Sequence, residues 1–175
     1  MDTEREKTKK TEGEFLSAYD RYADDIFRFL YFRLPDREVA RDLTQETFLR
    51  AWKSIAEGVR FDNVRAFLYR VAKNLSVDFY RKKKDESLED SLGEGGDVPD
   101  VEKEVDFLEA EAVRKLLDSL GDKHRDAVTM RFFGELSVKE IAEATEVTKT
   151  LVSVRIHRGL KKLRKLYEER DLKQI

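Results

Sequence analysis

The stretch from Leu136 to Tyr167, LSVKEIAEATEVTKTLVSVRIHRGLKKLRKLY, constrains the chain more tightly than any other. Ser137 followed three residues later by Glu140 forms a capping box, so a helix should begin at Ser137. Ile141 and Ala142 should face inward, and the small Ala142 would let a second helix cross closely. Glu146 stands where such turns usually place glycine, so it must take the turn conformation at some cost. Thr148 is the expected N-cap of the following helix. On that helix Val152, Ile156, Leu160 and Leu163 recur with the helical period and should form a buried stripe. At about 100° per residue, Thr150, Ser153, His157, Lys161 and Arg164 fall on the other side. Lys149, Arg155, Arg158, Lys162 and Lys165 flank them, and no acid occurs between Lys149 and Tyr167. Two capped helices, the second with a cationic outer face, have the layout of a helix-turn-helix with its recognition helix last. A basic face can also be plain solvated surface. The helix pair in front of this one favours a polyanion, because each Lys or Arg set against a phosphate releases counterions.

The other half of the chain has to be consistent with a nucleic-acid reader. Overall charge is −2, which by itself argues against such a partner, but the cations are unevenly distributed. With 175 residues there is room for two small cores, and 41% charged residues with only two prolines suit helices throughout. No cysteine is present, which excludes disulfides, thiolate catalysis and cysteine-based metal sites. MDTEREKTKK lacks the apolar core of a signal peptide, and no run reaches the length of a membrane span. A cytoplasmic protein without membrane insertion is expected.

In chain order, residues 1–13 are charged and expected to be disordered. An aromatic-rich helix follows from Glu14, with Phe15, Tyr22, Ile26, Phe29 and Leu30 among its apolar residues. Pro35 ends it and Asp36 can cap the next. That second helix, about 36–57, has a broad apolar side: Ala40, Leu43, Thr47, Phe48, Ala51, Trp52 and Ile55. Its reverse side shows Asp42, Gln45, Glu46, Leu49 and Lys53 at steps of three and four. A large aliphatic residue framed by acids and an amide has the form of an anchor for a docking partner. The loop 57–63 (EGVRFDN) has Gly58 as helix stop and Asp62 or Asn63 as the next cap.

The third helix runs to about Lys84 on a stripe of Val64, Phe67, Leu68, Val71, Leu75 and Phe79. Opposite lies a second line of Tyr69, Lys73, Ser76 and Tyr80, with Arg65 beside it. Rings alternating with cations on an open face suit single-stranded DNA, whose bases stack while its phosphates are held. The competing arrangement places both tyrosines against a neighbouring helix. Residues 85–106 are acidic with GEGG and a proline, and are expected to be a flexible linker between domains at 14–84 and 107–170. After it Leu108, Val113, Leu116, Leu117 and Leu120 mark a helix closed by Gly121. Asp122 should cap another, with Ala127, Val128 and Met130 inward and Gly134 at its end.

These blocks carry a family resemblance. DLTQETFLRAW (Asp42–Trp52) followed by RAFLYRVAKNLSVDFYRKKK (Arg65–Lys84) closely resembles the promoter-melting domain of bacterial RNA polymerase sigma factors, above all the small two-domain extracytoplasmic-function type. LSVKEIAEATEVTKTLVSVRIHRGLKKL (Leu136–Leu163) resembles their second domain. The resemblance implies an all-α fold of two small helical domains on a flexible acidic linker. It implies that Asp42, Gln45, Glu46, Leu49 and Lys53 dock on the β′ clamp helices of core RNA polymerase. The 57–63 loop, through Arg60, Phe61, Asp62 and Asn63, would hold a flipped base of the minus-ten element. Arg65, Tyr69, Lys73, Asn74, Asp78 and Tyr80 would contact the melted strand. In the second domain Lys149, Thr150, Ser153, Val154, Arg155, His157, Arg158 and Lys161 would meet the minus-thirty-five element. Promoter DNA, duplex and melted, and core polymerase are the implied partners, and the family also admits an anti-sigma protein.

The pattern departs from the family at Glu146, in place of a turn glycine, and at Ser153 and Val154, which cannot grip guanine in bidentate fashion. Shape, methyl groups and phosphates would have to contribute instead.

Three other classes fit less of the chain. A dimeric helix-turn-helix regulator explains 136–167 but leaves Leu49 and the tyrosine–cation line idle. A protein that only sequesters a partner leaves the basic helix unused. An enzyme would need a constellation that His124 and His157, on different helices without metal-ligand spacing, do not form, so no cofactor, no metal and no catalytic residue is expected.

Overall fold

The computed structural model describes the backbone of residues 2–86 and 104–171, with side chains at 12–85 and 110–169. Among the described residues there are seven helices and no strand. They are α1 (Asp2–Tyr31), α2 (Arg37–Ala56), α3 (Val64–Glu86), α4 (Glu104–Asp118), α5 (Asp122–Phe132), α6 (Val138–Thr145) and α7 (Lys149–Asp171). The linker expected at 85–106 lies outside the described residues from 87 to 103, and its two ends belong to α3 and α4. Leu108 is likewise outside the described side chains.

The first helical unit is α1–α3. Helix α1 starts at Asp2, not near Gly13 as the sequence suggested. The charged N-terminal segment is rich in Glu, Lys and Arg, which propagate a helix well even with nothing to bury. The chain turns at Leu34–Pro35, and Asp36 caps α2 by accepting from the Glu38 N–H at 2.7 Å. Gly58, with φ of 86°, stops α2 in the left-handed region where a side chain would be strained. Asn63 caps α3 through the Ala66 N–H at 2.9 Å. Thr44 and Thr47 are tolerated in the interior of α2 because their hydroxyls bond back to the Ala40 and Leu43 carbonyls, both at 2.7 Å. Aromatic edges lock α1 to α2: Phe15 lies 5.1 Å from Trp52, and Tyr19 lies 4.8 Å from Phe48, ring centre to ring centre.

In the second unit, α4–α7, Gly121 occupies the cap position of α5 and Asp122 is its first helical residue. The expected Asp122 cap is therefore displaced by one residue; its carboxylate instead pairs with Arg125 at 2.6 Å, one turn on. The capping box of Ser137 and Glu140 forms as expected, with the Glu140 carboxylate accepting from the Ser137 N–H at 2.8 Å. Thr148 caps α7 by accepting from the Leu151 N–H at 3.2 Å. Val152, Ile156 and Leu163 face the core, but Leu160 is 40% exposed. The buried position in that turn belongs to Gly159, where an added Cβ would stand 2.7 Å from Val128 Cγ2. Helices α5 and α7 cross too closely there for any side chain, so the stripe passes through a glycine and its neighbour Leu160 is turned outward.

Glu146 adopts φ 56°, ψ 42° between α6 and α7, the left-handed conformation anticipated for the turn. A residue with a Cβ pays roughly 1–2 kcal/mol to sit there. Glu146→Gly should therefore raise stability by about 1 kcal/mol in urea unfolding, since the exposed pairing of Glu146 with Arg70 at 3.9 Å contributes little. A variant less stable than the parent would give the glutamate a structural role that its geometry does not show.

The two units are packed on each other. Helix α3 lies between α1 and α2 on one side and α6 on the other. The buried apolar residues of both units form one contiguous cluster, running from Ile26 and Phe29 through Leu68 and Tyr69 to Leu136, Ile141 and Val152. Phe32 meets Phe133 at 4.7 Å across the seam. Arg33, buried after the end of α1, donates to the Ser76 hydroxyl and to the buried carboxylate of Asp126 in α5. Arg114 of α4 donates to the Pro35 carbonyl at 2.6 Å and lies over the Tyr31 ring at 5.5 Å.

Candidate nucleic-acid interface

Three surfaces gather the residues singled out from the sequence. On α2, Asp42, Gln45, Leu49 and Lys53 are exposed, while Glu46 is half-buried and held by Arg50 at 2.8 Å. Leu49 is 47% exposed on a helix whose inner side is fixed by Phe48 and Ala51. A rigid helix thus presents one aliphatic side chain in a polar frame, as the spacing indicated.

The second surface is the 57–63 loop with α3. Arg60 and Asp62 are exposed, and Phe61 stacks on Phe67 at 3.8 Å with its ring nearly parallel. Asn63 is occupied at both ends: its oxygen caps α3, and its amide donates to Glu140 at 3.3 Å. Lys73 is half-buried, Asn74 exposed, and Asp78 paired with Arg81 at 3.2 Å.

The open aromatic–cationic line expected on α3 is not open in this arrangement. Tyr69 is 0% exposed and Ser76 is fully buried. Tyr80 keeps its ring edge in solvent but donates its hydroxyl to the Arg33 carbonyl at 2.7 Å. Both units supply the cover: Tyr69 packs edge-on against Phe29 of α1 at 5.3 Å and lies against Gly134 of the second unit, while Ser76 and Tyr80 meet Arg33 after the end of α1. Arg65 donates to the Gly134 carbonyl and lies 4.0 Å from Glu140, with its guanidinium over the Tyr22 ring at 5.8 Å. Arg70 donates to the Glu143 carbonyl at 2.8 Å.

Burial pushes the Tyr69 phenol above its usual range, so it is a neutral hydroxyl at any working pH. Burial acts upward on Glu140 too, but the Ser137 N–H and hydroxyl, Asn63 and Arg65 outweigh it and hold this carboxyl below the ordinary range. Glu140 is thus an anion facing Arg65.

The third surface is the outer side of α7. Lys149, Thr150, Ser153, Val154, His157, Arg158 and Lys161 are exposed together, and Arg155 is half-buried at the margin. This side points away from α5 and α6 and carries no acid, so it can meet a phosphate backbone without rearrangement. Among the described residues no group of His, Cys, Asp and Glu is placed to hold a metal, and no helix is long and apolar enough to cross a membrane.

Sequence reasoning missed Arg33, Asp126 and Gly134. The first two had a signal: Arg33 interrupts the apolar run FLYFRLP, and Asp126 stands next to the inward Ala127–Val128. An ionic residue inside each of two apolar runs is what a buried pair leaves in a sequence.

Comparison with known proteins identifies the family to which this arrangement of helices belongs. Residues 18–86 match the family model for Sigma-70 region 2, and residues 110–163 match that for Sigma-70, region 4. The ECF RNA polymerase sigma factor SigW of Bacillus subtilis is 34% identical over 94% of this chain and 93% of its own. SigM of the same organism, also an ECF RNA polymerase sigma factor, is 30% identical over 85% of this chain and 92% of its own. The fold is shared with the sigma factor RpoE of Bartonella quintana, solved with the anti-sigma factor NepR, at a TM-score of 0.72 and 19% identity over 89% of this chain and 97% of that one. The chain belongs to the extracytoplasmic-function family of RNA polymerase sigma factors, which bind core RNA polymerase, recognise promoters and promote their melting.

Proposed function

We propose a residue-level division of labour for this sigma factor. Leu49, framed by Asp42, Gln45, Glu46 and Lys53, anchors it on the β′ clamp helices of core polymerase. Arg60, Phe61, Asp62 and Asn63 hold a flipped base of the minus-ten element. Arg65, Tyr69, Lys73, Asn74, Asp78 and Tyr80 take the displaced strand, and the outer side of α7, from Lys149 to Lys161, rests on the minus-thirty-five duplex. The observation that carries this reading is the half-exposed Leu49 on a rigid, otherwise polar helix face, separate from the basic face of α7.

The subunit has no chemistry of its own. Two weak DNA contacts and one protein contact, tethered in one chain, each raise the effective concentration of the others. Captured bases offset the stacking lost when the duplex opens. Such a subunit works in the cytoplasm, with an anti-sigma factor of the kind bound to its fold relative as the expected regulator.

The test is open-complex footprinting on a library of bacterial promoter fragments. Permanganate-reactive thymines near the start site should appear only when core polymerase and this chain are both present. Stable duplex protection by the chain alone, without melting, would assign it to the ordinary helix-turn-helix regulators.

A further inference from the structure

We propose that Leu151 and Val154, on the first two turns of α7, read thymine methyl groups in the major groove. The minus-thirty-five element is then recognised at that point through A·T pairs and not through guanine. The proposal rests on the reading that the outer side of α7 meets the minus-thirty-five duplex. Three independent observations support it.

The first is exposure. Leu151 is 40% exposed and Val154 36% exposed, one turn apart and about 60° from each other around the helix. Isolated exposed aliphatics are ordinary. These two stand together, and neither is needed to hold α7 down, because Val152 between them is fully buried and Ile156 continues the inner stripe. Val152 also fixes the rotation of the helix. Thr148, accepting from the Leu151 N–H at 3.2 Å, fixes its first turn. The pair is therefore held outward on a rigid support.

The second is the company they keep. The N-terminal turns of a recognition helix are the ones that reach base edges. The outward positions of those turns are Thr150, Leu151, Ser153 and Val154, all exposed, with no Arg, Lys, Asn or Gln among them. Guanine is gripped in the major groove by a cationic side chain and adenine by a side-chain amide, so neither purine has a bidentate partner here. Of the four bases only thymine presents a methyl group in that groove, and a methyl is what an aliphatic side chain can distinguish.

The third is charge, which favours duplex DNA over a protein as the occupant. Lys149 and Arg155 lie about 60° to either side of the buried Val152, and Arg158 and Lys161 follow on the outer side in the turns beyond. No acid occurs from Lys149 to Tyr167. An aliphatic tip between cations matches a groove whose floor carries methyl groups and whose walls carry phosphates.

The test uses the full chain bound to core polymerase. Promoter fragments selected from a random duplex library define the upstream element, and each thymine in it is replaced in turn by deoxyuridine, which removes only the methyl. At one or two neighbouring positions the replacement should lower holoenzyme affinity about fourfold. Leu151→Ala or Val154→Ala should abolish that penalty. Lys161→Ala should instead weaken thymine and uracil templates equally and flatten the salt dependence. Both aliphatic positions are exposed, so their variants keep the fold. A penalty that persists in both variants would belong to the shape of the duplex and overturns the assignment. An upstream element without thymine, or one in which uracil serves as well everywhere, overturns methyl reading while leaving α7 on the duplex. Loss of affinity for core polymerase without DNA in Leu151→Ala, with the uracil penalty unchanged, makes the pair a protein contact and overturns the proposal too. Absence of any protection upstream of the melted segment takes α7 off the duplex, and the proposal falls with that reading.

Discussion

Leu49→Asp should abolish tight binding to core RNA polymerase while leaving the melting temperature of the free chain within a degree or two. Truncating or charging a central interface anchor costs about 2–4 kcal/mol, so affinity should fall about thirty- to several-hundred-fold. The fold has little reason to respond. Leu49 is on the outer side of α2, and none of the aromatic contacts that fix α2 to α1 involves it. An aspartate there stands four residues before Lys53, a mildly favourable helical spacing. Titration of labelled chain with core polymerase, beside thermal melts followed by circular dichroism, separates the two effects. Normal polymerase affinity in Leu49→Asp would move the docking surface off this face of α2.

Arg33→Ala should have the largest effect on the packing of the two units. Arg33 and Asp126 are both buried, and removing one partner of such a pair costs about 3–5 kcal/mol because the other charge is stranded. Burial pushes the Asp126 carboxyl upward, and Arg33 is the main influence pulling it back down. The chain has an escape that a single-core protein lacks: it can part at the seam and hydrate Asp126. Loss of amide protection in α3 and α6, with α2 and α7 still protected, is therefore expected before global unfolding. Arg33→Met combined with Asp126→Leu should restore much of that protection, since two apolar groups of similar volume leave no charge unpaired. If Arg33→Ala alone kept the parent's exchange pattern, the pair would not hold the seam.

What could be read from the sequence was local. The capping box of Ser137 and Glu140, the left-handed Glu146 and the Thr148 cap depend on residues within four positions of one another, and all three formed as expected. The exposed Leu49 followed from helical periodicity on a helix with a full inner side. Residues 2–13 misled because low hydrophobicity with many charges is common to disordered tails and charged helices. Leu160 misled because it is apolar and only about 80° from Val152 around the helix, whereas the crossing with α5 selects Gly159, about 20° from it. The second unit's part in covering Tyr69 was out of reach for a different reason. The covering residues are some seventy positions further on, with an undescribed stretch between, and no local pattern records which of two compatible faces will meet.

The polar groups of α3 that meet the second unit are the guanidiniums of Arg65 and Arg70, bound to the Gly134 and Glu143 carbonyls. Such side chains are tolerable in water as well as under cover. When the units part, these two cations stay hydrated, but Phe32 and Phe133, which meet at 4.7 Å across the same seam, enter water with them. The seam therefore has a wettable edge and a sticky one, and an opened molecule resists aggregation only where the first of them faces solvent.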